Sequence, residues 1–244
     1  MDGHGTSPSG RVDESLRFPS WHFVAGLRSA DNSGWGNPFH SLGPANTRYC
    51  HMKRKDRDFI ALYNALWYRD FPVTPMRLDI NRRALWTTHI ASTIKQCADL
   101  LGHFTCFETG GKTDAVVENA SGKKWMKIEW EWFQPHSENV NEIDKLAAAV
   151  EDAETFVFIG YSRSDEPSHS ELNISKIIGI WGVIDKPLIV FLVTFSRDHG
   201  KRIFEKLQTH VIQGGRHRQI REQPALPWEV PGTKWAITSE ACGA

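Results

Sequence analysis

The positions of apolar residues divide the chain into segments of different period. From about Arg57, Phe59, Leu62, Tyr63, Leu66 and Trp67 recur at helical spacing, and Pro72 and Pro75 close that stretch. A second helical stripe follows over Arg83–Leu101, carrying Trp86, Ile90, Ile94, Cys97, Ala98 and Leu101, with Gly102 as its stop. The period then changes to two. HFTCFE reads as a strand, Gly110-Gly111 as a turn, KTDAVVEN as the returning strand and NASG as a second turn. WMKIEWEWF alternates cleanly. Met126, Ile128, Trp130 and Trp132 lie on one side, with Lys127, Glu129 and Glu131 on the other.

A helix is expected over 139–153 from the stripe Val140, Ile143, Leu146, Ala147 and Val150. TFVFIGYS and PLIVFLVTF are apolar runs suited to strands buried on both faces, with a polar loop and a helix from about Glu171 to Val183 between them. Ile203, Leu207 and Val211 predict a last helix over Lys201–Ile212. Helices crossing between buried strands require a mixed sheet covered on both faces, so the expected fold class is α/β. The expected organisation is an irregular, partly disordered segment 1–49, one α/β domain over 50–213, and an irregular tail 214–244.

Composition narrows the function classes. The 244 residues are 40% hydrophobic and 24% charged, enough for one sizeable core. No run approaches the length of a membrane helix and the N-terminus lacks a secretory pattern, so a cytoplasmic protein without a membrane partner is expected. The four cysteines form no CxxC pair, and neither a disulfide framework nor zinc is indicated. Basic and acidic residues balance at 29 each. They are unevenly spread: residues 104–154 hold eleven acids and five lysines, whereas 197–221 hold seven basic residues and two acids. An acidic centre between basic flanks suits a metal site beside a phosphate-binding surface, and equally suits ordinary solvated faces.

GGKT lacks the earlier glycine of a phosphate loop, and no GxGxxG, GxSxG or HExxH is present. What remains is Asp114 on one strand and Glu129-Trp130-Glu131 on the next. Glu129 and Glu131 share a side of the strand, and antiparallel pairing brings Asp114 toward them. Carboxylates converging in this way repel one another unless a cation joins them. Mg²⁺, or Mn²⁺ in its place, is the fitting ion for phosphodiester hydrolysis.

Here the chain resembles the PD-(D/E)XK, restriction-endonuclease-like superfamily, whose common core is helix, three strands, helix, strand. The resemblance covers roughly Arg83 to Ser162. Asp114 matches the family's first acid and Glu129 its second, while Glu131 stands where lysine is usual. The resemblance implies a Mg²⁺-dependent endonuclease with Asp114, Glu129 and Glu131 as metal and catalytic carboxylates. Lys127 or Lys145 would supply the displaced lysine, and Glu142 a further ligand. Helical geometry places Lys145 away from the apolar stripe, toward solvent. Arg82, Arg83, Arg197, Lys201 and Arg202 are the expected contacts to nucleic acid, DNA ahead of RNA; a homo-oligomer is compatible with this reading. The alternatives are a catalytically inactive member of the same fold, and an interaction module whose acidic strand face is solvated.

Overall fold

The computed structural model describes residues 52–75, 80–109 and 113–236. The expected N-terminal irregular segment and the Gly110-Gly111 turn lie outside them. The described residues belong to one compact unit. Two helices come first, α1 (Arg54–Leu66) and α2 (Arg83–Leu100). The three strands β1 (Phe104–Thr109), β2 (Thr113–Glu118) and β3 (Lys124–Trp130) follow. Then come α3 (Glu142–Ala148), β4 (Thr155–Arg163), α4 (Pro167–Trp181), β5 (Leu188–Asp198), β6 (Lys201–Gln213) and β7 (Arg216–Pro224).

The seven strands form one mixed sheet in sequential order. β1, β2 and β3 pair antiparallel, β3, β4 and β5 pair parallel, and β5, β6 and β7 return to antiparallel. The two parallel steps are those that contain α3 and α4, because a parallel neighbour requires a crossover. The fold is α/β with helices on both faces.

Alternation along the strands divides the interior into two cores. Met126, Ile128, Val157, Ile159, Ile189 and Phe191 meet Phe59, Tyr63, Trp86, Ile90 and Ile94 of α1 and α2. Phe156, Phe158, Leu188, Val190 and Leu192, on the opposite face, meet Ile143 and Leu146 of α3 and Ile177 and Trp181 of α4. Each such buried side chain contributes about 1.5–3 kcal/mol, and a sheet covered on both faces explains why β4 and β5 are continuously apolar.

Three expectations are corrected. Lys201–Gln213 is a strand and not a helix. Arg216–Pro224, in the stretch expected to be irregular, is a further strand paired to it along most of its length. The helix expected over 139–153 is limited to Glu142–Ala148, followed by a 3-10 turn at Val150–Asp152. In addition, α4 begins at Pro167, inside the segment expected to be loop. Among the described residues, no helix is long and apolar enough to cross a membrane.

Candidate active site

The β2–β3 turn sets the register on which the site depends. Asn119 Oδ1 accepts from the backbone N–H groups of Ser121 (3.0 Å) and Lys123 (2.9 Å), and Gly122 takes the left-handed φ of 75° that the reversal requires. Ala115 is thereby opposite Ile128 and Val116 opposite Lys127. The next step along both strands brings Asp114 beside Glu129. Both side chains leave the sheet on the side of α3, since Ala115 and Ile128 are committed to the other core.

Asp114 Oδ2 accepts the backbone N–H of Trp130 at 2.8 Å. Glu129 is only 2% exposed. Burial, then the charge of Asp114, pushes the Glu129 carboxyl up to about 8. Burial also raises Asp114, against the stabilising Trp130 N–H. The two carboxyls are hydrogen-bonded to each other in a way that favours the proton on Glu129.

From α3, Glu142 and Lys145 reach the same space. Lys145 Nζ lies 3.1 Å from Glu142 Oε1, and Asn141 N–H donates to Glu142 Oε2 at 3.0 Å. Burial disfavours the Lys145 ammonium, but Glu142, Glu129 and Asp114 together outweigh it and raise its pKa. A cleft of about 400 Å³ holds these groups. Its walls are Arg83, Thr87 and Ala91 on one face of α2, Phe107 and Glu108 at the end of β1, and Trp130 and Glu131 after Glu129.

The expected site residues therefore separate into two sets. Asp114, Glu129, Glu142 and Lys145 are together, and Arg83 is on the rim. Lys145 remains exposed, as its place off the apolar stripe implies, and also lines the cleft, because the short α3 packs against β3 beside Glu129. Glu131 lines the cleft, but its Oε1 accepts the backbone N–H groups of Trp132 (2.6 Å) and Phe133 (3.1 Å) and sits 3.4 Å from Arg83 Nη2. β3 ends at Trp130, so the alternation that would align Glu131 with Glu129 stops one residue too early. Lys127 is buried and bonds Asp152 Oδ2 at 2.7 Å, away from the cleft.

Of the expected nucleic-acid contacts, Arg82, Arg197 and Lys201 are exposed and do not line the cleft. Arg202 is enclosed by aromatic rings: its Cζ is 3.8 Å from the Trp132 ring centroid and 4.3 Å from that of Phe195. Its Nη1 donates to the Trp132 carbonyl at 3.0 Å, and burial lowers its pKa to about 10. Phe107, Glu108, Thr87 and Ala91 were not evident from sequence. The one local signal, the left-handed φ of 53° at Glu108, is a backbone property that no periodicity records.

Among the described residues, no group of three or more His, Cys, Asp or Glu side chains is arranged to hold a metal ion. The donor chemistry nevertheless fits a hard divalent ion. Two carboxylates, waters and a phosphate are an ordinary magnesium shell, and a cation would relieve the repulsion between the Asp114 and Glu129 carboxylates.

No protein-family model matches the sequence, and no curated protein matches it. Among solved structures, the chain is similar to the YaeQ protein of Xanthomonas axonopodis pv. citri, at 10% identity, with 50% of this chain and 70% of that one covered and a TM-score of 0.24. It is also similar to the YaeQ protein of Pseudomonas syringae, at 10% identity, with 61% and 80% covered and a TM-score of 0.27.

Proposed function

We propose that this protein is a Mg²⁺-dependent nuclease with a restriction-endonuclease-like core, cytoplasmic and acting on phosphodiester bonds of DNA in preference to RNA. The observation that carries the reading is the buried Asp114–Glu129 pair in a cleft with Lys145. The order α2, β1, β2, β3, α3, β4 supports it, being the order that the resemblance implies.

Asp114 and Glu129 would hold the ion, with Glu142 nearby. Magnesium, when bound, activates water and polarises a phosphoryl oxygen. Lys145 carries the positive charge that the strand position of Glu131 lacks, and Glu142 fixes its ammonium at the cleft. That charge would offset the negative charge that develops on a phosphoryl group bound in the cleft. Arg83, on the rim, is positioned to contact a neighbouring phosphate. Glu131 serves the turn after β3 and takes no part in the chemistry.

The test is cleavage of duplex and single-stranded DNA and of RNA, with and without Mg²⁺ or Mn²⁺, by the wild type, Asp114→Ala and Glu129→Ala. Metal-dependent cleavage lost in both variants is the expected result. A wild type that cleaves none of these, with no metal-induced rise in melting temperature, overturns the reading. The engagement of Glu131, the third acid of the motif, by the Trp132 and Phe133 N–H groups favours a second reading, a catalytically inactive relative. Metal binding without cleavage would assign it.

A further inference from the structure

The cleft has a charge balance unsuited to a polyphosphate surface. Five acids (Glu108, Asp114, Glu129, Glu131 and Glu142) line it against two cations, Arg83 and Lys145. Both cations already face carboxylates, Arg83 with Glu131 at 3.4 Å and Lys145 with Glu142 at 3.1 Å. A duplex bound through its backbone gains affinity from many neutralised phosphates, and this rim offers few. The remaining features are aromatic. Phe107 lines the cleft and is 38% exposed. Phe133, at the turn held by Glu131, is 54% exposed, and Arg83 Cζ lies 5.9 Å from its ring centroid. Exposed rings beside a guanidinium are the elements on which single-stranded nucleic acids stack their bases.

Volume points the same way. About 400 Å³ is at the small end for a ligand pocket, enough for a nucleotide or so. Thr87 and Ala91, at one- and two-turn spacing from Arg83 on α2, keep that wall low. We infer that the cleft takes a single strand, with an unpaired base stacked on Phe107 or Phe133 and its phosphate directed between Arg83 and the Asp114–Glu129–Lys145 group.

The inference rests on the nuclease reading for its chemistry but has its own readout. The full-length protein is titrated by fluorescence anisotropy against a labelled oligothymidylate, the same strand built from abasic nucleotides, and a blunt duplex. Calcium replaces magnesium so that binding is read without turnover. Oligothymidylate should bind more tightly than the duplex. Removing the bases, or Phe107→Ala or Phe133→Ala, should weaken oligothymidylate binding by about 5- to 100-fold, while Phe133→Trp retains it. Both rings are at the surface, so circular dichroism should show the variants folded.

Duplex binding as tight as single-strand binding, or oligothymidylate binding indifferent to both aromatic substitutions and to base removal, overturns the inference. Parallel cleavage assays separate the two readings. Duplex cleavage that ignores the aromatic substitutions leaves the nuclease reading standing and overturns the single-strand one. Base-dependent strand binding without metal-dependent cleavage supports the single-strand surface and counts against the nuclease.

Discussion

The carboxylate of Asp114 accepts the backbone N–H of Trp130 at 2.8 Å. This bond ties the first acid of β2 to the residue immediately after the second acid of β3. Glu129 is thereby held beside Asp114 by backbone geometry, with its own side chain almost wholly buried. The cost of that placement appears in the titration of Glu129, and it can be measured.

Glu129 is raised from an ordinary carboxylate value to about 8, chiefly by burial. Between the ordinary value and about 8 the folded chain retains a proton that the unfolded chain has released. Stability is therefore greatest below the unfolded pKa and falls as pH rises through that window. The melting temperature of the metal-free protein is expected to decline across it, by roughly 2–4 °C for each kcal/mol of linkage. Glu129→Gln should flatten the profile. Divalent metal should raise the melting temperature more near the upper end of the window, where ion and proton no longer compete.

Glu131 separates a structural role from a catalytic one. Glu131→Gln keeps an acceptor for the Trp132 and Phe133 N–H groups and should change stability by less than ~1 kcal/mol. Glu131→Lys removes that acceptor and places a cation beside Arg83, so a loss of about 1–3 kcal/mol is expected. Urea unfolding of both variants is the measurement. Cleavage corrected for the folded fraction should survive in Glu131→Gln.

Two lysines were candidates for the displaced lysine of the motif. Lys145→Ala should reduce cleavage by about 100-fold or more, as expected for loss of charge stabilisation at a reacting phosphate, with little loss of stability. Lys127→Ala should do the reverse: it breaks the pair with Asp152 and leaves a buried gap, yet touches nothing in the cleft. Single-turnover rates and melting curves on the same preparations distinguish the two.

Arg202 is expected to behave as a core residue. Its guanidinium packs on Trp132 and Phe195, and its backbone N–H donates to Asn81 Oδ1 at 3.1 Å. Arg202→Ala should cost about 2–3 kcal/mol through lost cation–π packing and an orphaned carbonyl. Arg202→Lys should restore only part, since an ammonium cannot reproduce the planar stacking. Calorimetric melting is the readout; a stability unchanged in Arg202→Ala would remove it from the core.

The chain's periodicities by themselves determined the first two helices, the three-strand meander and the apolar strands β4 and β5. In those segments only one period fits the apolar positions, and that pattern is a local property. Asp114 and Glu129 were legible for the same reason, since turn chemistry and alternation bring them to one side of a hairpin. β6 was not. Ile203, Leu207 and Val211 are spaced by four, which is one turn of a helix and also two pleats of a strand, so pattern alone cannot choose. Pairing with β5 on one side and β7 on the other decided it, because an open β5 edge would leave a row of backbone groups without partners. Tertiary structure likewise decided the fate of the charges. Lys145 enters the cleft because α3 is short and lies against β3, and Glu131 leaves the carboxylate row because β3 ends at Trp130. Arg202 is covered because the chain after β3 folds Trp132 onto it. Burial of a charged side chain depends on which distant segment arrives beside it, and a one-dimensional pattern carries no record of that.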